Sequence, residues 1–196
     1  MSLPLLILAT GILYILMMGG MSLLRREGLS TQVPLEAIAI TLLISGLTYW
    51  QGFLIHPVIF LVLLYLITMR VRLLIDLGNY FAQRGNFSLA NRCYQLGLRL
   101  LPDPSSRLAT LVNQGTFFLQ KGEFDQAIQT LKGVLEKKTE GYLGTKYEAA
   151  AHYNLGVAYL RKNLDAQARL EFNAVIDVWP ASEYARRAEN ALTRKR

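Results

Sequence analysis

The sequence predicts an all-α protein with two parts, an N-terminal group of transmembrane helices and a C-terminal stack of helix pairs. Three observations support this prediction. Residues 3–24 and 37–69 carry no charged side chain. Only 3 of the 21 Lys and Arg residues lie in residues 1–70. A pattern of glycine, aromatic and alanine residues recurs three times after residue 70. We therefore divide the chain into a membrane domain at 1–70 and a second domain at 71–196.

The first predicted transmembrane helix covers residues 3–24. An uncharged helix of this length crosses the hydrocarbon layer of a bilayer, which is about 30 Å thick. A secretory signal peptide is the alternative, but its positive charges precede the apolar run, whereas Arg25 and Arg26 follow it here. Because short cytoplasmic loops retain Arg and Lys, we expect the N-terminus outside and the Arg25–Arg26 loop in the cytoplasm.

The second apolar region is too long for one helix, and Gly52 and Pro57 interrupt it. We predict two spans, at about 35–51 and 54–73, and hence three transmembrane helices. Arg70 and Arg72 at the end of the third span can reach the cytoplasmic interface, which places the second domain in the cytoplasm. The alternative is that residues 35–69 form a re-entrant hairpin or cross only partly, which would place that domain on the opposite side.

The second domain contains three helix–turn–helix units, at about 71–104, 108–141 and 149–182. In the first, Leu74, Leu77, Gly78 and Phe81 share one face of a first helix, Gly85 makes the turn, and Ala90 and Tyr94 line a second helix. Corresponding positions are filled in the second unit by Gly115, Phe118, Gly122, Ala127 and Leu131, and in the third by Leu155, Gly156, Tyr159, Ala168 and Phe172. Asn163 and Asp165 alter the third turn.

A capping helix is predicted at 182–195, after the third unit. Tyr184, Ala185, Ala188 and Leu192 recur at helical spacing, and charged residues fill the other positions. A terminal helix with one apolar face and one polar face is what closes a stack of repeats.

This pattern of residues resembles the tetratricopeptide repeat, which is about 34 residues long. The resemblance implies a curved right-handed array whose first helices line a concave groove that binds an extended segment of a partner. By the resemblance, the groove residues are Arg72, Ile75, Asp76, Asn79 and Gln83, then Asn113, Thr116 and Gln120, then Tyr153, Asn154, Val157 and Arg161.

Asparagine recurs in this set, and its side-chain amide can both donate to and accept from a peptide backbone. Asn113 and Asn154 are expected to be exposed. The tetratricopeptide clamp for chaperone C-terminal carboxylates is not expected, because Ile75, Ala150 and Asn154 take its other positions. The alternative is that the asparagines only satisfy exposed helix faces.

No catalytic, cofactor-binding or metal-binding residues are expected. The sequence has no Gly-rich phosphate loop, no metal-ligand cluster among its two histidines and one cysteine, and no nucleophile–base pair. The net charge of +7 is spread over helices without a nucleic-acid-reading motif, so nucleic acid is not an expected partner. Contact with anionic lipid headgroups or with an acidic partner is expected instead, through Arg186, Arg187, Arg194, Lys195 and Arg196.

The two parts together predict a non-enzymatic, membrane-anchored scaffold or adaptor that is an accessory or assembly subunit of a larger membrane complex, for example a photosynthetic or respiratory one. The layout resembles the small anchored tetratricopeptide proteins of photosynthetic membranes. The expected partners are other subunits of that complex and the lipid bilayer. Two alternatives stay open: a secretion or envelope-biogenesis adaptor, and a regulatory subunit of a membrane enzyme or transporter.

Overall fold

The computed structural model describes residues 2–27, 30–137 and 143–193, and within these ranges every regular element is an α-helix. This confirms the all-α prediction. In chain order the helices are α1 (Leu3–Leu24), α2 (Gln32–Trp50), α3 (Pro57–Thr68), α4 (Arg70–Gln83), α5 (Phe87–Arg99), α6 (Pro104–Lys121), α7 (Phe124–Glu136), α8 (Thr145–Arg161), α9 (Asp165–Val178) and α10 (Glu183–Thr193).

Helices α1 and α2 are long and apolar enough to cross a membrane. They contain 22 and 19 residues, which is about 33 and 28 Å at 1.5 Å per residue. They pack closely because Gly11 has no side chain: a Cβ atom there would lie 2.3 Å from the Thr41 Oγ1 atom. Where α1, α2 and α3 meet, the side chains of Ile7, Ala37 and Phe60 are buried.

Helix α3 is shorter than the span that the sequence predicts at 54–73. It has 12 residues, about 18 Å, and ends at Thr68. The chain then bends by 71° into α4. At this bend Arg70, the first residue of α4, donates to Glu36 in α2 and to the carbonyl oxygen of Leu100. By length and composition, the described part of the chain has two helices able to cross a membrane, or three spans if α3 and α4 together count as one.

The repeat domain consists of the helix pairs α4–α5, α6–α7 and α8–α9. In each pair, a glycine of the first helix lies against a large side chain of the second. A Cβ atom on that glycine would come within 2.6 Å of Tyr94 at Gly78, 2.6 Å of Leu131 at Gly115 and 2.7 Å of Phe172 at Gly156. The small residues Ala90, Ala127 and Ala168 are fully buried in the same pairs. The three predicted sets of equivalent residues therefore make equivalent contacts.

The turns inside the pairs need a left-handed backbone conformation. Gly85 has φ 74° and Gly122 has φ 85°, whereas the third turn uses Asn163 at φ 60°. Asparagine is the residue that tolerates this conformation best after glycine, since its short polar side chain bonds locally. The third turn, predicted to differ, is thus made by asparagine in the left-handed region.

Leu77 does not lie on the packing face of the first unit, where its spacing predicts it. It is 48 % exposed, whereas Leu155 at the same position of the third unit is 1 % exposed. Helix α7 of the preceding repeat packs on α8. Helix α4 begins the stack and has no preceding repeat to cover this position, so Leu77 remains on the surface.

Helix α10 closes the other end of the stack. Ala185 and Ala188 are fully buried, and Tyr184 and Leu192 pack against the same core. The Ser182 hydroxyl accepts from the backbone N–H of Ala185 at 2.9 Å, which anchors the start of the helix. The last three residues, with the basic side chains predicted at 194–196, lie outside the described residues, as does the end of the second unit predicted at 141.

Candidate partner-binding groove

The first helices of the three pairs, α4, α6 and α8, line a groove with a volume of about 620 Å³. Helix α10 adds Tyr184 and Arg187 to one wall, and the segment after α1 adds Arg25 and Glu27. The groove therefore has contributions from every repeat, from the cap and from the N-terminal part of the chain. A space of this size holds a short extended peptide segment or a few anchoring side chains.

Ten of the twelve predicted groove residues line this groove: Arg72, Ile75, Asp76, Asn79, Asn113, Thr116, Gln120, Tyr153, Asn154 and Val157. Gln83 and Arg161 are not. Each is the last residue of its helix and is exposed, so both lie beyond the groove. That the lining residues bind a partner stays a prediction.

The asparagines of the groove are bonded to neighbouring repeats. The Tyr94 hydroxyl donates to Asn79 at 2.7 Å, and Asn79 donates to the Asn113 side-chain oxygen at 2.9 Å. Asn154 donates to the Thr116 hydroxyl at 2.8 Å. Asn113 and Asn154 are half-buried, so the expectation that they are exposed was wrong. Their amides connect adjacent first helices, and each keeps part of its hydrogen-bonding capacity for a ligand.

Burial of Tyr94 supports this network. It raises the pKa of the Tyr94 hydroxyl well above its ordinary value. The hydroxyl, which is protonated at neutral pH even at its ordinary pKa, thus also stays protonated in more alkaline solution and donates to Asn79. The chain of donors runs from α5 through α4 to α6 and fixes the floor of the groove.

The charged residues of the groove are mostly basic. Arg25, Arg72, Lys146 and Arg187 line it, against Glu27 and Asp76. Glu27 is nearly buried and forms ion pairs with both Arg72 and Lys146. The guanidinium of Arg187 pairs with Glu183 on the same helix at 2.5 Å. The groove thus has an excess of positive charge, and part of it is neutralised by the chain's own carboxylate.

Sequence reasoning missed Lys146, Glu27 and Arg187. Lys146 precedes Ala150 by four residues, so helical spacing would have placed it on the groove face of α8. The position of Glu27 carries no such signal, since the residues that it contacts are 45 and 119 positions away. Arg187 was expected to contact anionic lipid or an acidic partner, and its place beside the groove depends on how α10 packs.

A second cavity, of about 260 Å³, lies between the apolar N-terminal helices and the repeat domain. Its charged lining residues balance, with Arg25, Arg70 and Arg72 against Glu27, Glu36 and Asp103. The guanidinium of Arg70 donates to both oxygens of Glu36, at 2.5 and 2.9 Å. We call this cavity the joint, because it lies where the N-terminal helices meet the repeat domain. Its Arg70–Glu36 ion pair attaches α4 to the start of α2.

In the part of the chain that the structure describes, no three His, Cys, Asp or Glu side chains are close enough together to hold a metal ion. The polar groups that converge in the groove are amides, hydroxyls and charged side chains in hydrogen bonds and ion pairs. Their arrangement fits recognition of a polypeptide segment.

Comparisons with known proteins agree with this architecture. Residues 112–183, from α6 to the start of α10, match the model of the tetratricopeptide repeat family. Among solved structures, the N-terminal domain of stress-induced protein-1 (STI-1) from C. elegans is similar, with a TM-score of 0.52 and 20 % sequence identity; the match covers 63 % of this chain and 95 % of that chain. This likeness shows the fold alone. A search of curated proteins found no match.

Proposed function

We propose that this chain, which carries a tetratricopeptide repeat domain, is a non-enzymatic, membrane-anchored scaffold or adaptor. Tetratricopeptide domains are protein-interaction scaffolds, and this one is joined to helices that are long and apolar enough to cross a membrane. Its partners would be subunits of a larger membrane complex, of the photosynthetic or respiratory kind, to which it would belong as an accessory or assembly subunit.

The observation that carries the proposal is the groove of about 620 Å³ on the concave face. It is lined by amides, hydroxyls, tyrosines and an excess of basic groups, with apolar contacts at Val112 and Val157. An extended partner segment needs both backbone hydrogen-bond partners and small apolar contacts. The groove offers both along three successive helices.

Anchoring in a membrane is supported by the outer surfaces of α1 and α2. Large apolar side chains there are exposed, among them Leu13, Leu16, Leu42 and Leu43. Such a continuous apolar surface is stable only in lipid or against another protein. It would also give the protein a lateral surface for other subunits of the complex.

The proposed topology has the N-terminus outside and the repeat domain in the cytoplasm. Its support is the contact between Glu27, just after α1, and Lys146 in α8, at 2.7 Å. This contact requires the end of α1 and the repeat domain to share one side of the bilayer, and Arg25 and Arg26 favour the cytoplasmic side. If α2 crosses fully, residues 51–68 must return the chain across. The distribution of charge and the joint between the domains thus favour a three-pass arrangement over an opposite-side one.

The test is purification of the tagged full-length protein from its native membrane in mild detergent, with mass spectrometry and an absorption spectrum of what accompanies it. We expect one large complex in stoichiometric amount, and pigment or haem absorption would identify its kind. Recovery of the protein alone, without a reproducible companion, would refute the scaffold.

A matched pair of variants separates the groove from the rest of the surface. Gln120→Arg places a larger charged side chain in the groove, whereas Gln83→Arg makes the same change on an exposed residue outside it. We expect the first to reduce recovery of the companion several-fold and the second to leave it unchanged. Equal recovery with both variants would show that the partner binds elsewhere.

A further inference from the structure

The segment that follows α1 is seated against two different repeats. The Arg26 carbonyl oxygen accepts from the backbone N–H of Lys146 at 3.1 Å. The Arg26 guanidinium lies over the Trp179 ring, 5.4 Å from its centroid. Glu27 pairs with Arg72 at the start of the first repeat and with Lys146 at the start of the first helix of the third. This short segment therefore bridges the two ends of the groove wall.

The carboxylate of Glu27 occupies a site made by the repeat domain. Its side chain is 5 % exposed, whereas the side chains of Arg72 and Lys146 are 34 % and 40 % exposed. The two cations are thus accessible from the groove while the anion that they hold is covered. A buried carboxylate is tolerated only with such partners, because its desolvation must be offset. Two cations from different helices that converge on one carboxylate are a carboxylate-binding site.

The surroundings of this site favour an anionic ligand. Without Glu27, the basic groups Arg25, Arg72 and Lys146 would face a single lining carboxylate, Asp76, while Arg187 is paired with Glu183. Charge-assisted hydrogen bonds from arginine and lysine to a carboxylate are about twice as strong as neutral ones. The groove would therefore attract an acidic segment as soon as Glu27 left it.

We propose that Arg72 and Lys146 bind an acidic side chain of a partner's extended segment, and that Glu27 is the internal occupant which that side chain displaces. The proposal rests on the proposed function, since it takes the groove to be the partner-binding surface. It adds that the ligand is a carboxylate and that the contact of Glu27 with the groove regulates its binding. Because Glu27 closely follows α1, an acidic partner also detaches this segment of the membrane half from the repeat domain.

Glu27 and the partner's carboxylate each weaken the binding of the other to this site. If the partner's carboxylate and Glu27 compete for the same two cations, a stronger Glu27 contact weakens partner binding, by at most the same factor. Conditions that move α1 relative to the repeat domain would therefore change the affinity of the groove. A movement of the membrane helices would thus change partner binding in the groove through the segment after α1.

The first experiment measures binding of a fluorescent tetraglutamate peptide to the full-length protein in detergent micelles, with tetraglutamine as the reference peptide. The variant is Glu27→Gln, which keeps the size of the side chain but not its charge. The matched control is Glu123→Gln, which makes the same change of net charge on an acid of the α6–α7 turn that pairs with Lys121.

We expect Glu27→Gln to bind tetraglutamate about tenfold more tightly than the unmodified protein, which is about 1.4 kcal/mol. Glu123→Gln should bind like the unmodified protein. Adding Arg72→Gln to Glu27→Gln should remove the gain, and tetraglutamine should bind equally to all variants. Equal affinity of the Glu27→Gln and Glu123→Gln variants for tetraglutamate would overturn the proposal.

A second measurement needs no variant. Trypsin cleaves after Arg25 and Arg26, which are held beside the groove in the structure. If an acidic ligand displaces Glu27, tetraglutamate should speed cleavage at these two residues in the unmodified protein, as followed by the mass of the N-terminal fragment. Tetraglutamine at the same concentration should have no effect. A cleavage rate that tetraglutamate leaves unchanged would also overturn the proposal.

These outcomes are separate from those of the scaffold test. If tetraglutamate fails in both measurements while the native complex is still recovered, the scaffold stands and the carboxylate site is refuted. If the peptide behaves as expected but no companion is ever recovered, the site is real and the scaffold is refuted.

Discussion

Gly156→Ala tests the packing inside a helix pair. In α8, a Cβ atom at position 156 would lie 2.7 Å from Cε1 and 2.9 Å from Cδ1 of Phe172. The Phe172 ring is 1 % exposed and belongs to the main core of the repeat domain. Because the ring is rigid and enclosed, the helix pair must move apart to admit the methyl group.

The magnitude follows from two opposing effects. Overpacking a dense core costs about 1–3 kcal/mol. Replacing glycine by alanine inside a helix gains about 1 kcal/mol. Gly133→Ala isolates the second effect, since a Cβ atom added to Gly133 in α7 would meet no side chain or distant backbone within 4 Å among the described residues. We expect the free energies of unfolding of the two variants to differ by about 1–3 kcal/mol.

The assay is thermal unfolding of the full-length protein in mild detergent, followed by circular dichroism. For a domain of this size, 1 kcal/mol corresponds to roughly 4 °C in Tm. We expect Gly133→Ala to melt above the unmodified protein and Gly156→Ala to melt clearly below Gly133→Ala. If the two variants melt together, Phe172 does not pack tightly on Gly156, and the contact assigned to all three helix pairs is wrong.

Two further predictions use the same assay. Tyr94→Phe removes the hydroxyl that donates to Asn79 at 2.7 Å and should cost about 1 kcal/mol, because the half-buried acceptor loses its partner; an unchanged Tm would count against the asparagine network. Gly122→Ala forces a side chain into the left-handed conformation at φ 85° and should cost about 1 kcal/mol. A stabilised variant would contradict that turn geometry.

The repeats were predictable because the residues that pack together in each helix pair lie close together in the sequence. Gly78 and Tyr94 are 16 residues apart, and the same spacing recurs for Gly115 with Leu131 and for Gly156 with Phe172. The end of α3 was not predictable in this way. It is followed at once by Arg70, whose partners Glu36 and Leu100 are distant in sequence and come together only in the folded chain.

The helix faces that line the groove were predictable from the sequence, but the hydrogen bonds between their side chains were not. The resemblance placed Asn79, Asn113 and Asn154 on the right helix faces, because one face of a helix is fixed by spacing. It could not show that these amides bond between repeats, since that depends on how closely adjacent helices approach. Nor could it place Glu27, which enters the groove from the N-terminal part of the chain.

The two ion pairs at the start of α4 have different consequences. Arg70 and Arg72 are two residues apart, and at about 100° per residue their side chains leave the helix on nearly opposite sides. Arg70 holds Glu36 at the joint, whereas Arg72, which lines both the joint and the groove, holds Glu27. Loss of the Glu27 contact therefore leaves the attachment through Glu36 in place. In the proposed displacement of Glu27, a ligand releases the segment after α1 from the groove while the repeat domain stays fixed to α2, so the groove can respond to the N-terminal helices without separating from them.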